Sequence, residues 1–226
     1  MIRSDNNIVI LRAKNLIKRY GDNEAAVING VSLEFRKGDF VSIMGRSGSG
    51  KSTLLKLLSG LIFPCKGEVE CAGFNVVTLK GKELTNFRTS VIGIVFQENN
   101  LIEDFSIKDN ILTPLYIAGR KADKEHFDRL IEIAGLKNFL NRKPKNLSGG
   151  EKQRASIVRA LISKPQILFA DEPTGSLDSK SEQQIMELFK RVNEEFGTTI
   201  IQVTHSEACA GVSKRVVRMM DGKVAE

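Results

Sequence analysis

The sequence predicts an α/β fold, and three observations predict it. Short apolar segments, each the length of one buried strand, recur at residues 40–44, 91–96, 167–170 and 199–203. Stretches with helical spacing fill the gaps between them. A glycine-rich run, Gly45-Arg46-Ser47-Gly48-Ser49-Gly50-Lys51-Ser52-Thr53, joins the first strand to a helix over residues 52–59 that closes at Gly60.

The glycine run carries the first chemistry. It follows the pattern G-x-x-x-x-G-K-[ST], whose glycines let backbone N–H groups turn inward around a phosphate chain. Lys51 can reach the terminal phosphates, and the Ser52 hydroxyl can ligate Mg²⁺. Strand, glycine loop and helix N-terminus together make an anion site. The bland alternative is a chance glycine–serine loop.

Each of the other strands also ends on polar chemistry: Gln97 after the second, Asp171 and Glu172 after the third, Thr204 and His205 after the fourth. In open α/β sheets ligands gather at the carboxyl ends of strands, so separate stretches point to one site. The helices follow from spacing. Residues 179–196 place Ile185, Leu188, Phe189, Val192 and Phe196 on one face, with Gly197 as a cap. Between Gln97 and Pro165 the expected helices are 107–115, 124–134 and 152–163, a helical lobe inserted between strands. Residues 8–35 are strand-like on either side of Tyr20, and so are 215–220 and 223–224.

Bulk properties bound the answer. The chain has 226 residues, enough for one domain, or a core plus a smaller lobe. The net charge of +7 comes from 34 basic and 27 acidic residues. That basic balance suits nucleic acid, anionic lipid or nucleotide. Nucleic acid is disfavoured, because no stretch interleaves Lys or Arg with stacking aromatics. Cys65, Cys71 and Cys209 are odd in number and form no CxxC, as expected of reduced thiols in a cytosolic chain. Residues 1–7 are polar and show no signal-peptide core. No apolar run approaches the ~20 residues of a membrane span, so work at a membrane would need another chain to cross it.

A second motif is Asn146-Leu147-Ser148-Gly149-Gly150-Glu151-Lys152-Gln153-Arg154. Ser148 and Glu151 have the spacing of a helix capping box. A capping box alone does not require two adjacent glycines. Gly149 and Gly150 remove side chains where a helix start points outward, which suits a second phosphate-binding helix end.

With both motifs in place the chain resembles the ATP-binding cassette (ABC) ATPases over nearly its whole length. Residues 147–151 are similar to their signature motif and 45–52 to their Walker A. Residues 167–172 resemble Walker B with its following glutamate. Gln97 resembles the Q-loop, Ser176-Leu177-Asp178 the D-loop, His205 the switch histidine, and Tyr20 the adenine-stacking aromatic. The signature ends in Glu151 where many members have Gln, and Ser206 follows His205 where Asp is frequent. Neither departure removes a catalytic group.

The resemblance implies a P-loop NTPase core with a mixed β-sheet, an N-terminal antiparallel β-subdomain and an inserted helical subdomain. Residues 1–226 would form a single domain, with 1–96 and 165–226 as the core and 97–164 as the helical part. It implies ATP and Mg²⁺ as cofactors. Asp171 would hold Mg²⁺ with Ser52 and Gln97; Glu172 would polarise the attacking water; His205 would contact the γ-phosphate; Lys51 would neutralise β- and γ-phosphate charge. Asp178 would belong to a dimer contact, or be a plain helix N-cap. His126, on a polar helix, is read as structural. Phe96, Phe105 and Phe189 are read as core or partner-facing packing rather than cofactor contacts.

A homodimer on ATP binding is implied, each ATP lying between Walker A of one copy and the signature Ser148, Gly149 and Gly150 of the other. The implied partner is an integral-membrane permease, docked on residues 98–105 at the cytoplasmic face of the membrane. No specific nucleic acid is expected. A finer likeness, through Phe87-Arg88, residues 92–97, 100–102, 110–119 and 173–178, is to bacterial lipoprotein-release, macrolide-efflux, cell-division and antimicrobial-peptide-resistance cassettes. It leans to the antimicrobial-peptide or efflux type. Ser176 in place of Asn, and no proline near Glu103, depart from that subgroup. The alternative is a non-transport cassette ATPase of chromosome maintenance or translation. Residues 52–147 lack the heptads of the chromosome type, and the chain has one cassette where translation types usually have two. A simple P-loop kinase leaves residues 147–151 unexplained.

Overall fold

The computed structural model describes residues 8–21 and 24–225. The polar N-terminal segment 1–7 lies outside the described residues. Two sheets carry the fold. Strands β1 (Val9–Lys18), β2 (Ile28–Arg36), β4 (Lys66–Cys71) and β5 (Phe74–Asn75) form an antiparallel sheet in the order β2-β1-β4-β5. Six more strands form the second sheet. They are β3 (Phe40–Gly45), β6 (Ile92–Val95), β7 (Ile167–Asp171), β8 (Thr199–Val203), β9 (Arg215–Met220) and β10 (Lys223–Ala225), ordered β10-β9-β3-β8-β7-β6. All neighbours in it run parallel except the β9–β10 pair, so this sheet is mixed.

The apolar runs in the central strands follow from burial on both faces, and period-two alternation decides which core each residue joins. Val41, Ile43, Ile167, Phe169, Ile201 and Val203 face one core. That core also holds Leu54 and Leu58 of α1 (Lys51–Leu58), Phe87 of α2 (Gly81–Ser90), and Leu11, Leu16 and Phe35 of the antiparallel sheet. Phe40, Leu168, Ala170 and Ile200 face the other core. There they meet α3 (Ile107–Ile117), α4 (Lys124–Ala134), α5 (Gly149–Leu161) and α6 (Ser179–Phe196). A short α7 (Glu207–Ala210) follows β8.

Helix α6 has the expected bounds, with Asp178 as N-cap and Gly197 in the left-handed C-cap at φ 65°. Helix α5 differs from expectation: it begins at Gly149, three residues before the anticipated Lys152. Ser148 is its N-cap, and the complete capping box with Glu151 draws the helix back to that point. Strands β4 and β5 and helix α2 were not anticipated. Their apolar content is too sparse to show a period, since β4 buries only Val69 and Cys71, and α2 only Phe87.

Candidate nucleotide site

An open cleft of about 600 Å³ lies where β3, β6, β7 and β8 end. Val27, Ser47, Gly48, Gly50, Lys51, Ser52, Thr53, Gln97, Glu172 and His205 line it. The glycine loop forms its floor. Gly50 caps α1 at φ 96°, and a Cβ there would stand 2.7 Å from the Val27 carbonyl oxygen, so no side chain fits. That turn delivers Lys51 and Ser52 as the first residues of α1, whose free N–H groups favour an anion.

Lys51 is 7% exposed, and its ammonium donates to the carbonyl oxygens of Gly45 (2.9 Å) and Arg46 (3.0 Å). Two of its three donors thus tie it to the loop, and one is left for a ligand. Ser52 Oγ donates to Asp171 Oδ1 at 2.7 Å, joining the first turn of α1 to the end of β7. A hydroxyl and a carboxylate in contact are hard oxygen donors, the chemistry Mg²⁺ takes when phosphates supply the rest of its shell. These residues therefore fit Mg²⁺.

Glu172 stands just past β7 in the left-handed region, at φ 49°. A non-glycine residue there costs of order 1–3 kcal/mol and persists only where its surroundings hold it. Two hydrogen bonds do so: Glu172 N–H to the Val203 carbonyl (3.0 Å) and Gly175 N–H to the Glu172 carbonyl (3.1 Å). The result turns its carboxylate toward His205, whose Nδ1 lies 2.6 Å from Oε2. The imidazole is largely exposed at 66% while the carboxylate is 18% exposed.

The remaining candidates are placed around this cleft. Tyr20 is exposed, its hydroxyl 3.4 Å from Thr53 Oγ1 and the Lys18 ammonium 5.5 Å from its ring centroid. Gly45, Arg46 and Ser49 support the loop from behind rather than line the cleft. A Cβ on Gly45 would meet the Met219 carbonyl oxygen at 2.3 Å, and Arg46 contributes its carbonyl while its side chain is exposed. Ser148, Gly149 and Gly150 do not line this cleft either. Gly149 is exposed at the helix start, whereas Gly150 has a packing neighbour. Gly150 is buried, and a Cβ there would lie 2.5 Å from Ser181 Oγ, so its small size serves packing of α5 on α6. His126 is structural as expected, yet it is half-buried. Its Nε2 lies 3.2 Å from the Leu161 carbonyl and its ring packs edge-on to Phe196. Val27 was missed; a lone valine before a strand carries no functional signal.

A second hollow, of about 330 Å³, is lined by Asp123, His126, Arg129, Lys164 and Phe196, among others. Its cations are already paired, Lys164 with Asp123 and Arg129 with Glu132 and Glu195. Burial also lowers the basicity of His126. Among the described residues the lysine and arginine of this hollow are thus both engaged by carboxylates.

Residues 28–175 match the ABC transporter family. The chain belongs to that family. As an ABC ATPase it binds and hydrolyses ATP. It is 42% identical over 221 residues to the bacitracin export ATP-binding protein BceA of Halalkalibacterium halodurans, covering 96% of this chain and 87% of the relative. It is 44% identical over 217 residues to the lipoprotein-releasing system ATP-binding protein LolD of Aquifex aeolicus, covering 95% and 96%. Among solved structures, a dimeric post-hydrolysis state of the ATP-binding cassette MJ0796 bound to ADP and Pi superposes with a TM-score of 0.86. It is 39% identical, covering 96% of this chain and 97% of that one. Among the described residues no helix is long and apolar enough to cross a membrane.

Proposed function

We propose that this ABC ATPase works as a pair of copies on a separate integral-membrane permease, at the cytoplasmic face of the membrane. The names of its relatives favour an export, efflux, lipoprotein-release or antimicrobial-peptide-resistance system. They give the non-transport alternative no support. The observation that carries the reading is the convergence of Lys51, Ser52, Gln97, Glu172 and His205, from four separate segments, on one cleft.

In this reading the amides of Ser47, Gly48 and residues 50–53, with Lys51, cradle the phosphates, Gly45, Arg46 and Ser49 hold the loop in shape, and Tyr20 stacks on adenine. Ser52, Asp171 and Gln97 would hold Mg²⁺, which when bound neutralises charge on the β- and γ-phosphates. Glu172 takes a proton from water as the water oxygen bonds to the γ-phosphorus. The bond from that phosphorus to the bridging oxygen breaks, and ADP leaves with the electron pair. Hydrogen bonding to His205 fixes the carboxylate and leaves the second ring nitrogen for the γ-phosphate.

The exclusion of Ser148, Gly149 and Gly150 from their own cleft supports a trans role, in which they close on the ATP of the partner copy. The dimeric state of the MJ0796 cassette supports the pairing of two copies. Ile102 and Phe105, 41% and 42% exposed beyond Gln97, support docking of the permease on residues 98–105. The test is Glu172→Gln. It keeps the shape of the cleft and removes the base, so ATP binding persists, turnover falls about 10²–10⁴-fold and an ATP-bound dimer accumulates. Near-normal phosphate release by the pure variant overturns the assignment.

A further inference from the structure

Gln97 lies in the loop between β6 and α3, and helix α5 holds that loop at three backbone points. Gln153 donates from Nε2 to the Phe96 carbonyl at 2.9 Å. Arg159 donates from one terminal nitrogen to the Asn99 carbonyl at 2.7 Å and from the other to the Asn100 carbonyl at 2.6 Å. Gln97 and Glu98 are therefore strung between anchors that both belong to α5. Gln153, Ser156 and Arg159 recur at three-residue spacing, so they form one stripe along the helix, and Arg159 also reaches Ser156 Oγ at 3.4 Å.

Arg159 is an unusual choice for holding carbonyls. It is half-buried, makes no ion pair among the described residues, and is less basic than an ordinary arginine because of burial. Its planar fork holds two consecutive carbonyls with two separate nitrogens in a fixed geometry, where an ammonium would offer rotatable donors on one nitrogen. Asn100 is itself in the left-handed region at φ 48°, which asparagine tolerates and which turns its carbonyl and that of Asn99 to Arg159. Farther along, buried Asn110 accepts from Ile102 N–H (2.7 Å) and donates to the Ile102, Phe105 and Ser106 carbonyls, fastening the rest of the loop to α3.

We infer that Gln153 and Arg159 are positioning residues that fasten the loop bearing Gln97 to α5, so that Gln97 and the signature start of the same helix move as one body. Ser148, the cap of α5, stands eleven residues from Arg159, roughly 16 Å along a helix rising 1.5 Å per residue. Arrival of a phosphate at either end is then felt at the other. The clamp also sets where the Gln97 amide sits relative to Ser52 and Asp171, so it governs Mg²⁺ use without touching metal or nucleotide. This inference rests on the proposed role of Gln97 in holding Mg²⁺.

The experiment compares Arg159→Met, Arg159→Lys, Gln97→Ala and the Gln97→Ala/Arg159→Met double variant as full-length chains. Three quantities are read: the Mg²⁺ concentration for half-maximal ATPase, the Mg²⁺-free ATP affinity, and the unfolding temperature. Arg159→Met should raise the half-maximal Mg²⁺ concentration about 5–10-fold while Mg²⁺-free ATP affinity stays within about twofold, because the phosphate loop is untouched. Arg159→Lys, which keeps the charge but is shorter and puts its donors on a single nitrogen, should fall between. The double variant should be no worse than Gln97→Ala alone, since a residue acting only through Gln97 adds nothing once Gln97 is gone. A loss of thermal stability with an unchanged Mg²⁺ requirement in both Arg159 variants overturns the clamp. If Arg159→Met does not fold, Arg159→Lys decides the same question. A shift with Gln97→Ala but none with Arg159 variants defeats the clamp alone; no shift with Gln97→Ala defeats the role of Gln97 and the clamp with it.

Discussion

Gly150→Ala separates two reasons for a glycine at the start of α5. The added Cβ would lie 2.5 Å from Ser181 Oγ and 2.9 Å from Ser181 Cβ, closer than real contacts allow. Ser181 cannot simply rotate away, because its hydroxyl donates to Asp178 Oδ2 (2.8 Å) and its N–H to Asp178 Oδ1 (2.9 Å). Asp178 is the N-cap of α6, so the methyl pushes on a cap as well as on a neighbour. Overpacking costs about 1–3 kcal/mol. A disturbed cap adds up to about 1 kcal/mol. The gain of alanine over glycine in a helix returns up to about 1 kcal/mol. The net is a loss of about 1–3 kcal/mol, roughly 2–12 °C in unfolding temperature for a chain of this size. The assay is thermal unfolding of Gly150→Ala beside Gly150→Ala/Ser181→Gly, which removes the struck side chain. The double variant should recover most of the stability. Its ATPase should remain low if the backbone at residue 150 must also approach a phosphate. A single variant as stable as the parent, or a double variant no better than the single, refutes the packing argument.

Two further outcomes follow from titratable groups. Burial holds the folded His126 ring below its ordinary value of 6.5, so the unfolded chain takes up more protons as pH falls through that value, and stability falls with it. Denaturant unfolding between about pH 7.5 and 5.5, above the carboxylate range, should show a decline that His126→Phe flattens; an equal slope in both proteins contradicts the account. Burial pushes the Cys71 thiol up to about 12 and raises that of Cys209, while Cys65 is exposed. Mild alkylation of the native protein should mark Cys65 alone by peptide mass mapping, and rapid labelling of Cys71 or Cys209 counts against the packing around them.

The sheet that carries the site was legible because burial on both faces makes its strands read as unbroken apolar runs, and each run ends on the polar group that reaches the cleft. Gln97, Glu172 and His205 were therefore visible as strand-end residues, and the structure brings them into one cleft with Lys51 and Ser52. The antiparallel sheet was only half legible. Strand β4, Lys-Gly-Glu-Val-Glu-Cys, alternates with just two buried residues, too few to register as a period. What sequence could not give was contact between distant segments. The hydrogen bond between Glu172 and His205, the seat of Gly150 on Ser181, and the grip of Arg159 on Asn99 and Asn100 all join residues whose separation carries no pattern. The three-residue shift in the start of α5 has a local cause: the Ser148–Glu151 capping box, visible in the sequence, starts the helix at Gly149.

The central claim is that Lys51 of one copy and Ser148 of the other act on the same ATP. Lys51→Ala and Ser148→Arg should each be inactive alone, the first by weakening phosphate binding and the second by placing bulk and charge at the closing surface. Mixed in equal amounts under conditions of free exchange, half of the dimers carry one of each, and the trans arrangement leaves one site intact in every mixed dimer. ATPase activity should then return to about one quarter of the parent level by random pairing. Mixing parent protein with the Lys51→Ala/Ser148→Arg double variant should also give about one quarter, since both sites of that mixed dimer are damaged. No recovery between the single variants, together with about one half of parent activity in the second mixture, would mean that each chain completes its own site, and would contradict the account.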